Sequence, residues 1–244
     1  MKHLILATAC ALALVACSNP EAERQAQEAA ATRARAAREQ QAEALGKQYD
    51  SAVTTGDWDK ARILGAGLFD QFPDSDTARR VEPGYADVKA KGEAARELRR
   101  MQALWNYSQV AVKGGTQRSA TIYSKQPVDV DGRGAKPVQL VFRDHPEWKR
   151  HAYLVLQAGD FAKACYRSCQ VTVAVDGGTP RPMAAYRPDT DEAIAMFITD
   201  HKAMWKTVRN ARSVEISFPV KAGGTRSVLF ETGGLDGSQM PAWD

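Results

Sequence analysis

The chain has 244 residues, a formal net charge of +4 and four cysteines. Its charges are scattered instead of clustered, which excludes the basic stripe that a nucleic-acid surface needs. The length fits one large domain or two modest ones.

Lys2 and His3 make a short basic start, and Leu4 to Ala16 is an uncharged apolar run. A bilayer-spanning helix needs about 20 apolar residues, so this run reads as an export signal. It ends in Leu14-Val15-Ala16-Cys17. This segment resembles the lipobox of bacterial lipoproteins at every position. The resemblance implies cleavage before Cys17 and attachment of lipid to that cysteine, palmitate included. Several acyl chains would hold the protein firmly, where one alone holds only marginally. Enterobacterial lipoproteins use an Asp after the cysteine for inner-membrane retention. Ser18 therefore implies an outer-membrane anchor facing the periplasm, and the cell surface fits as well.

The next segment, 17–37, is rich in Ala, Glu, Arg and Gln, which are good helix formers. Pro20 suits a helix start. Large apolar residues are absent until Leu45, so the segment is expected to be a lipidated tether, part helix and part coil. A helical region is expected over 38–104. Leu45, Tyr49 and Val53 recur at helical spacing, and Gly56-Asp57 turns the chain into a second helix faced by Ala61, Leu64, Leu68 and Phe72. Gly56-Asp57, Ala61 and Pro73 resemble a single degenerate tetratricopeptide repeat over 45–73. A repeat array needs about three such units, so a plain helical hairpin stays an equal alternative. Ser75-Asp76-Thr77 can cap a third helix, with Pro83 expected to kink or interrupt it.

At Trp105 the pattern changes to period-2 alternation with glycine turns. Nine strands are expected: 105–112, 118–124, 138–143, 152–157, 170–175, 183–186, 193–198, 213–220 and 226–231. One helix follows Asp200, with His201, Met204, Trp205 and Val208 on one face. The fold class is therefore α+β. A helical tether and hairpin precede an antiparallel β-sandwich-like domain over 105–244, which carries one helix.

The shared features of that domain are Trp105-Asn106-Tyr107, Ser119 to Ser124, Val138 to Arg143 followed by His145-Pro146, Gly159-Asp160-Phe161, Cys169 to Val173, Val214 to Phe218, and Phe230 with Gly234-Leu235. In order and spacing they resemble a family of exported proteobacterial proteins without assigned function. The resemblance speaks for the fold and not for an activity. The chain departs from that pattern by extending past Leu235, and Trp243 in the extension is expected to dock back onto the domain.

Few residues carry reactive chemistry. Cys10 leaves with the signal, which leaves Cys165 and Cys169 in an oxidising compartment. Their spacing fits a short structural disulfide. A thioredoxin-like pair would have two residues between the cysteines, haem attachment would need a His where Gln170 stands, and zinc would need further ligands. His145, His151 and His201 are expected to be structural. Asp129-Val130-Asp131-Gly132 imitates the start of a calcium loop but lacks its closing acid. Asp189, Asp191 and Glu192 read as a solvated turn. No catalytic, cofactor-binding or metal-binding set is expected, and no cofactor. Trp148-Lys149-Arg150 combines an aromatic with two cations, a composition enriched at interfaces, and is the candidate partner contact.

The expectation is a membrane-anchored periplasmic lipoprotein. It would be a non-enzymatic protein-binding or scaffolding module with an envelope partner and no nucleic acid. The alternative is an immunity or inhibitor protein against a cell-wall-degrading enzyme.

Overall fold

The computed structural model describes residues 19–188 and 194–243. Cys17, Asp189, Asp191 and Glu192 lie outside the described residues. The chain divides into two compact units after Gly92.

The first unit begins with α1 (Pro20–Thr54). Asn19 caps it by accepting from Glu21 N at 3.1 Å, and Pro20 takes the first turn, where no backbone N–H is needed. No break marks the expected end of the tether. The helix runs through, because Ala, Gln, Glu and Arg keep high helix propensity across the boundary. Burial sets in only at Ala42, followed by Gly46, Tyr49 and Ala52, while residues 20–38 are exposed. Gly56, at φ +71°, reverses the chain where an L side chain is strained. Asp57 then caps α2 (Trp58–Gln71) through Lys60 N at 3.2 Å.

The third helix, α3 (Asp76–Gln102), starts in this unit. Its first amides are capped twice. Ser75 Oγ accepts from Ala78 N at 3.0 Å, and Glu39 of α1 accepts from Asp76 N and Thr77 N at 2.9 and 3.1 Å. These bonds hold the Glu39 carboxyl below its ordinary pKa, the Asp76 amide contributing most. Pro83 lies inside α3 and does not interrupt it. Glu82, Pro83 and Gly84 are exposed, so water can satisfy the carbonyl that proline leaves without a donor. Gly92 weakens a helix on propensity grounds, but a Cβ there would meet Trp58 O at 2.7 Å. Close packing of α2 requires the glycine.

In the second unit nine strands form one antiparallel sheet: β1 (Trp105–Val112), β2 (Gly115–Tyr123), β3 (Gln139–His145), β4 (Lys149–Val155), β5 (Cys169–Val175), β6 (Arg181–Tyr186), β7 (Ala195–Ile198), β8 (Val214–Pro219) and β9 (Thr225–Phe230). The order across the sheet is β1-β2-β3-β4-β7-β6-β5-β8-β9. The α+β class and the antiparallel β-domain are as expected. The facing layers come from one sheet that curls around a single core. The segment after β2 closes on the far edge strand through Lys125 N to Leu229 O at 2.7 Å.

Buried residues alternate with less buried ones along β4, β8 and β9, as a half-buried sheet requires. Ile122, Leu140, Phe142, Leu154, Met196, Ile216, Phe218 and Phe230 are almost fully buried. The core is completed by α4 (His201–Asn210), which Asp200 caps through Ala203 N at 2.9 Å. It inserts Met204, Trp205 and Val208. The C-terminal extension packs back as expected, with Met240 and Trp243 buried in the same core. Among the described residues no helix is long and apolar enough to cross a membrane.

Candidate functional site

The outer face of the β-domain carries a row of rings that the strand register brings together. Tyr153 of β4 pairs across to Phe197 of β7, and Phe197 pairs across to Tyr186 of β6. Each occupies a position whose neighbours on the same strand are core residues, so all three point outward. Their rings lie nearly parallel. Tyr153 and Phe197 are 4.9 Å apart at 28°, and Phe197 and Tyr186 are 5.5 Å apart at 20°. Parallel rings on adjacent strands turn their faces to one another and their edges outward.

The row continues into β3. The Arg143 guanidinium lies over the Tyr153 ring at 5.4 Å and over the Trp148 ring at 5.1 Å. Trp148, in the β3–β4 turn, stacks on His145 at 4.1 Å and 14°. Trp148 and Tyr186, at the two ends, are 55% and 36% exposed. The Arg143 side chain makes no hydrogen bond or ion pair with any described residue, and its Nε is buried without a partner.

The structure splits the predicted patch Trp148-Lys149-Arg150. Trp148 is exposed and belongs to the row. Lys149 takes a left-handed φ of +66°, and its Nζ reaches Pro146 O at 3.2 Å. Arg150 is committed elsewhere, donating through Nη1 to Ala242 O in the C-terminal extension. Lys149 is thus held by local backbone, Arg150 by the C-terminal segment, and Trp148 faces outward in the aromatic row.

The histidines are placed by packing. His145 is buried, and its Nδ1 accepts from Glu147 N and Trp148 N, each at 3.1 Å. His151 lies opposite Arg143, with its ring edge-on to Phe197 at 5.3 Å. Its pKa is pushed down by burial first, then by the Arg143 and His201 charges. The His201 ring is 6.4 Å from that of His151, and its pKa is likewise lowered by burial and then by Arg150 and Lys202. Among the described residues, no three His, Cys, Asp or Glu side chains are placed to hold a metal ion. The Asp129 carboxylate accepts instead from the backbone of Asp131, Gly132 and Gly134, which explains the calcium-loop mimicry as turn chemistry.

Cys165 and Cys169 form the expected disulfide, with Cα atoms 4.7 Å apart. The bridge closes a loop beside a buried ion pair. Arg187 donates through Nε to Asp160 Oδ1 at 2.7 Å, and its backbone N–H bonds Cys165 O at 2.8 Å. The Arg187 guanidinium also covers the Tyr166 ring at 4.7 Å.

Sequence reasoning missed Arg143, Tyr153, Tyr186 and Phe197. A signal was present: in the four predicted strands that carry them, 138–143, 152–157, 183–186 and 193–198, the aromatic or cation falls on the parity opposite the apolar core residues. No protein-family model, curated protein or solved structure matches the chain.

Proposed function

We propose that this chain is a lipid-anchored envelope protein whose β-domain binds a protein partner across the outer face of β3, β4, β7 and β6. The lipid would be carried by Cys17, at the outer membrane and facing the periplasm. The observation that carries the binding reading is the aromatic row Trp148–Arg143–Tyr153–Phe197–Tyr186. Tyr, Trp and Arg are the side chains that dominate binding energy at interfaces. Here they are contiguous, held by the sheet and exposed at both ends. The exposed segment 20–38 of α1 supports a tether, with a reach of about 28 Å at 1.5 Å per residue.

A photocrosslinking residue in place of Trp148, in intact cells, tests the reading. The expected result is one recurrent envelope protein whose capture is lost when Tyr186 is replaced by Ala. Capture that is unchanged by Tyr186→Ala, or none at all, overturns it. A captured cell-wall-degrading enzyme that loses activity on binding would turn the scaffold into an inhibitor. Replacing Cys17 with Ser should release the folded protein from membranes.

A further inference from the structure

The charge state of the row says what kind of segment it accepts. Arg143 is the cation of this face without a carboxylate or carbonyl partner among the described residues. Its guanidinium is held in place by the Trp148 and Tyr153 rings, so little freedom is left to lose on binding. A guanidinium offers its N–H donors in a fork that matches a carboxylate. The residues that pair with Arg143 across β2 and β4, Ser119 and His151, bring no carboxylate to it. His151 lies directly opposite, and its lowered pKa reflects the Arg143 charge after burial. The nearest acidic side chains in sequence, Asp144 and Glu147, make no ion pair with Arg143: Asp144 falls on the opposite parity of β3, and Glu147 lies in the turn.

The rings point the same way. Aromatic rings are negative on their faces and positive at their edges. Tyr153, Phe197 and Tyr186 turn their faces to each other, so the surface they offer is made of edges. Edges suit carboxylate and carbonyl oxygens and aliphatic groups. They do not suit a sugar or nucleobase, which needs an open ring face to stack upon. From Arg143 on β3 to Tyr186 on β6 the row crosses four strands, about 14 Å at ~4.8 Å per strand. That length takes about four residues of extended chain.

We infer that this outer face binds a short, extended, acidic peptide segment of the partner, with one carboxylate on Arg143 and the chain crossing the edges of Tyr153, Phe197 and Tyr186. The inference rests on the binding surface proposed above and adds the chemical class of its occupant.

The test uses the full-length chain in mild detergent, with ¹⁵N-labelled tryptophan indoles followed by NMR. The probe is a capped five-residue peptide of alternating Glu and Leu. Its controls are the same peptide with Lys for Glu, and a uronate oligosaccharide that carries carboxylates without a peptide backbone. The Glu peptide should shift the Trp148 indole resonance saturably and more weakly as salt rises. Arg143→Gln should weaken binding about tenfold or more, through loss of a charge-assisted pair. Arg143→Lys should recover only part of it. Tyr186→Ala, at the exposed end of the row, keeps the test open should Arg143→Gln fail to fold, and should also weaken binding. Equal response to the Lys peptide, binding of the uronate in place of the peptide, or binding unchanged in both variants overturns the inference. If the peptide fails while crosslinking through Trp148 still traps a partner that needs Tyr186, the acidic class falls and the binding surface stands.

Discussion

His145 and Trp148 stack 4.1 Å apart, and the same His145 accepts the Trp148 backbone N–H at 3.1 Å. One buried imidazole therefore sets both the ring and the backbone of the exposed tryptophan. The bond also fixes the tautomer, since Nδ1 is the acceptor and Nε2 carries the proton. This geometry explains how Lys149 is held at a left-handed φ right after Trp148.

Replacing His145 with Ala should remove the stack and leave the Glu147 and Trp148 amides unpaired. The expected cost is about 3 kcal/mol, from a ring pair of ~1 and two lost hydrogen bonds of ~1 each. Chemical denaturation would measure the loss, and fluorescence should show greater solvent access to Trp148. An unchanged midpoint with unchanged fluorescence would mean that His145 does not position the turn.

Asp160 and Arg187 predict a second effect on stability. The side chains are 16% and 5% exposed, and the pair also orders the disulfide loop through Arg187 N to Cys165 O. Breaking a buried pair by removing one partner leaves a charge without its counterion and costs about 3–5 kcal/mol. Asp160→Ala should cost part of that, because Arg187 keeps its bond to Pro188 O and its contact with the Tyr166 ring. Replacing both residues by apolar ones should cost less than Asp160→Ala alone, which separates the burial of the guanidinium from the loss of its attraction to Asp160. Reduction of Cys165–Cys169 should cost about 2 kcal/mol for so short a loop. If Asp160→Ala melts like the parent chain, the pair is not a structural tie.

The pH dependence of stability follows from the histidines and then the acids. His151 and His201 have folded pKa values below their ordinary 6.5. In the window between, the unfolded chain binds more protons, so stability falls as the pH drops below about 6.5 and levels off below the lowered folded values. Glu97 behaves differently. Hydrogen bonds from Arg100, with the Arg212 charge, hold its carboxyl down to about 2. Its contribution is complete above the ordinary 4.5 and is lost only as the pH falls from there towards 2. Melting temperatures between pH 7.5 and 5.5 should therefore decline in the parent and decline less in His151→Gln. A flat parent profile over that interval would contradict the placement of both histidines.

How much of this was legible depends on which link carried the information. Strand existence was, because period-2 alternation is imposed by one buried face. Trp105–Val112 coincides with its expected span, and the other eight strands differ only at their ends. The Asp200 cap and the buried Met204, Trp205 and Val208 face were equally local. The outward row was not. Tyr153, Phe197 and Tyr186 meet only because β7 pairs with β4 and β6, an order that sequence proximity does not give. The run Trp148-Lys149-Arg150 misled for the converse reason. Adjacent residues in a tight turn point apart, and Arg150 found its acceptor 92 residues away. The helical boundary near residue 38 was expected from burial, but propensity continued the helix regardless.

The C-terminal extension supplies a last prediction. Trp243 packs 5.1 Å from Trp205, 5.4 Å edge-on to Phe142 and 5.7 Å edge-on to His201. The segment is tied down twice, by Asp236 N donating to Tyr107 Oη at 2.7 Å and by Arg150 donating to Ala242 O. The tail is therefore part of the core it closes, and removing its anchor should act like removing a core aromatic. Trp243→Ala should cost about 3–5 kcal/mol, while Trp243→Phe, which keeps an aromatic ring in place, should cost less. Near-ultraviolet circular dichroism gives an independent readout, because two indoles 5.1 Å apart and tilted by 39° couple to one another. That coupled signal should vanish in both variants, whereas stability should separate them. Parent-like stability in Trp243→Ala would mean that the extension lies on the domain without completing its core.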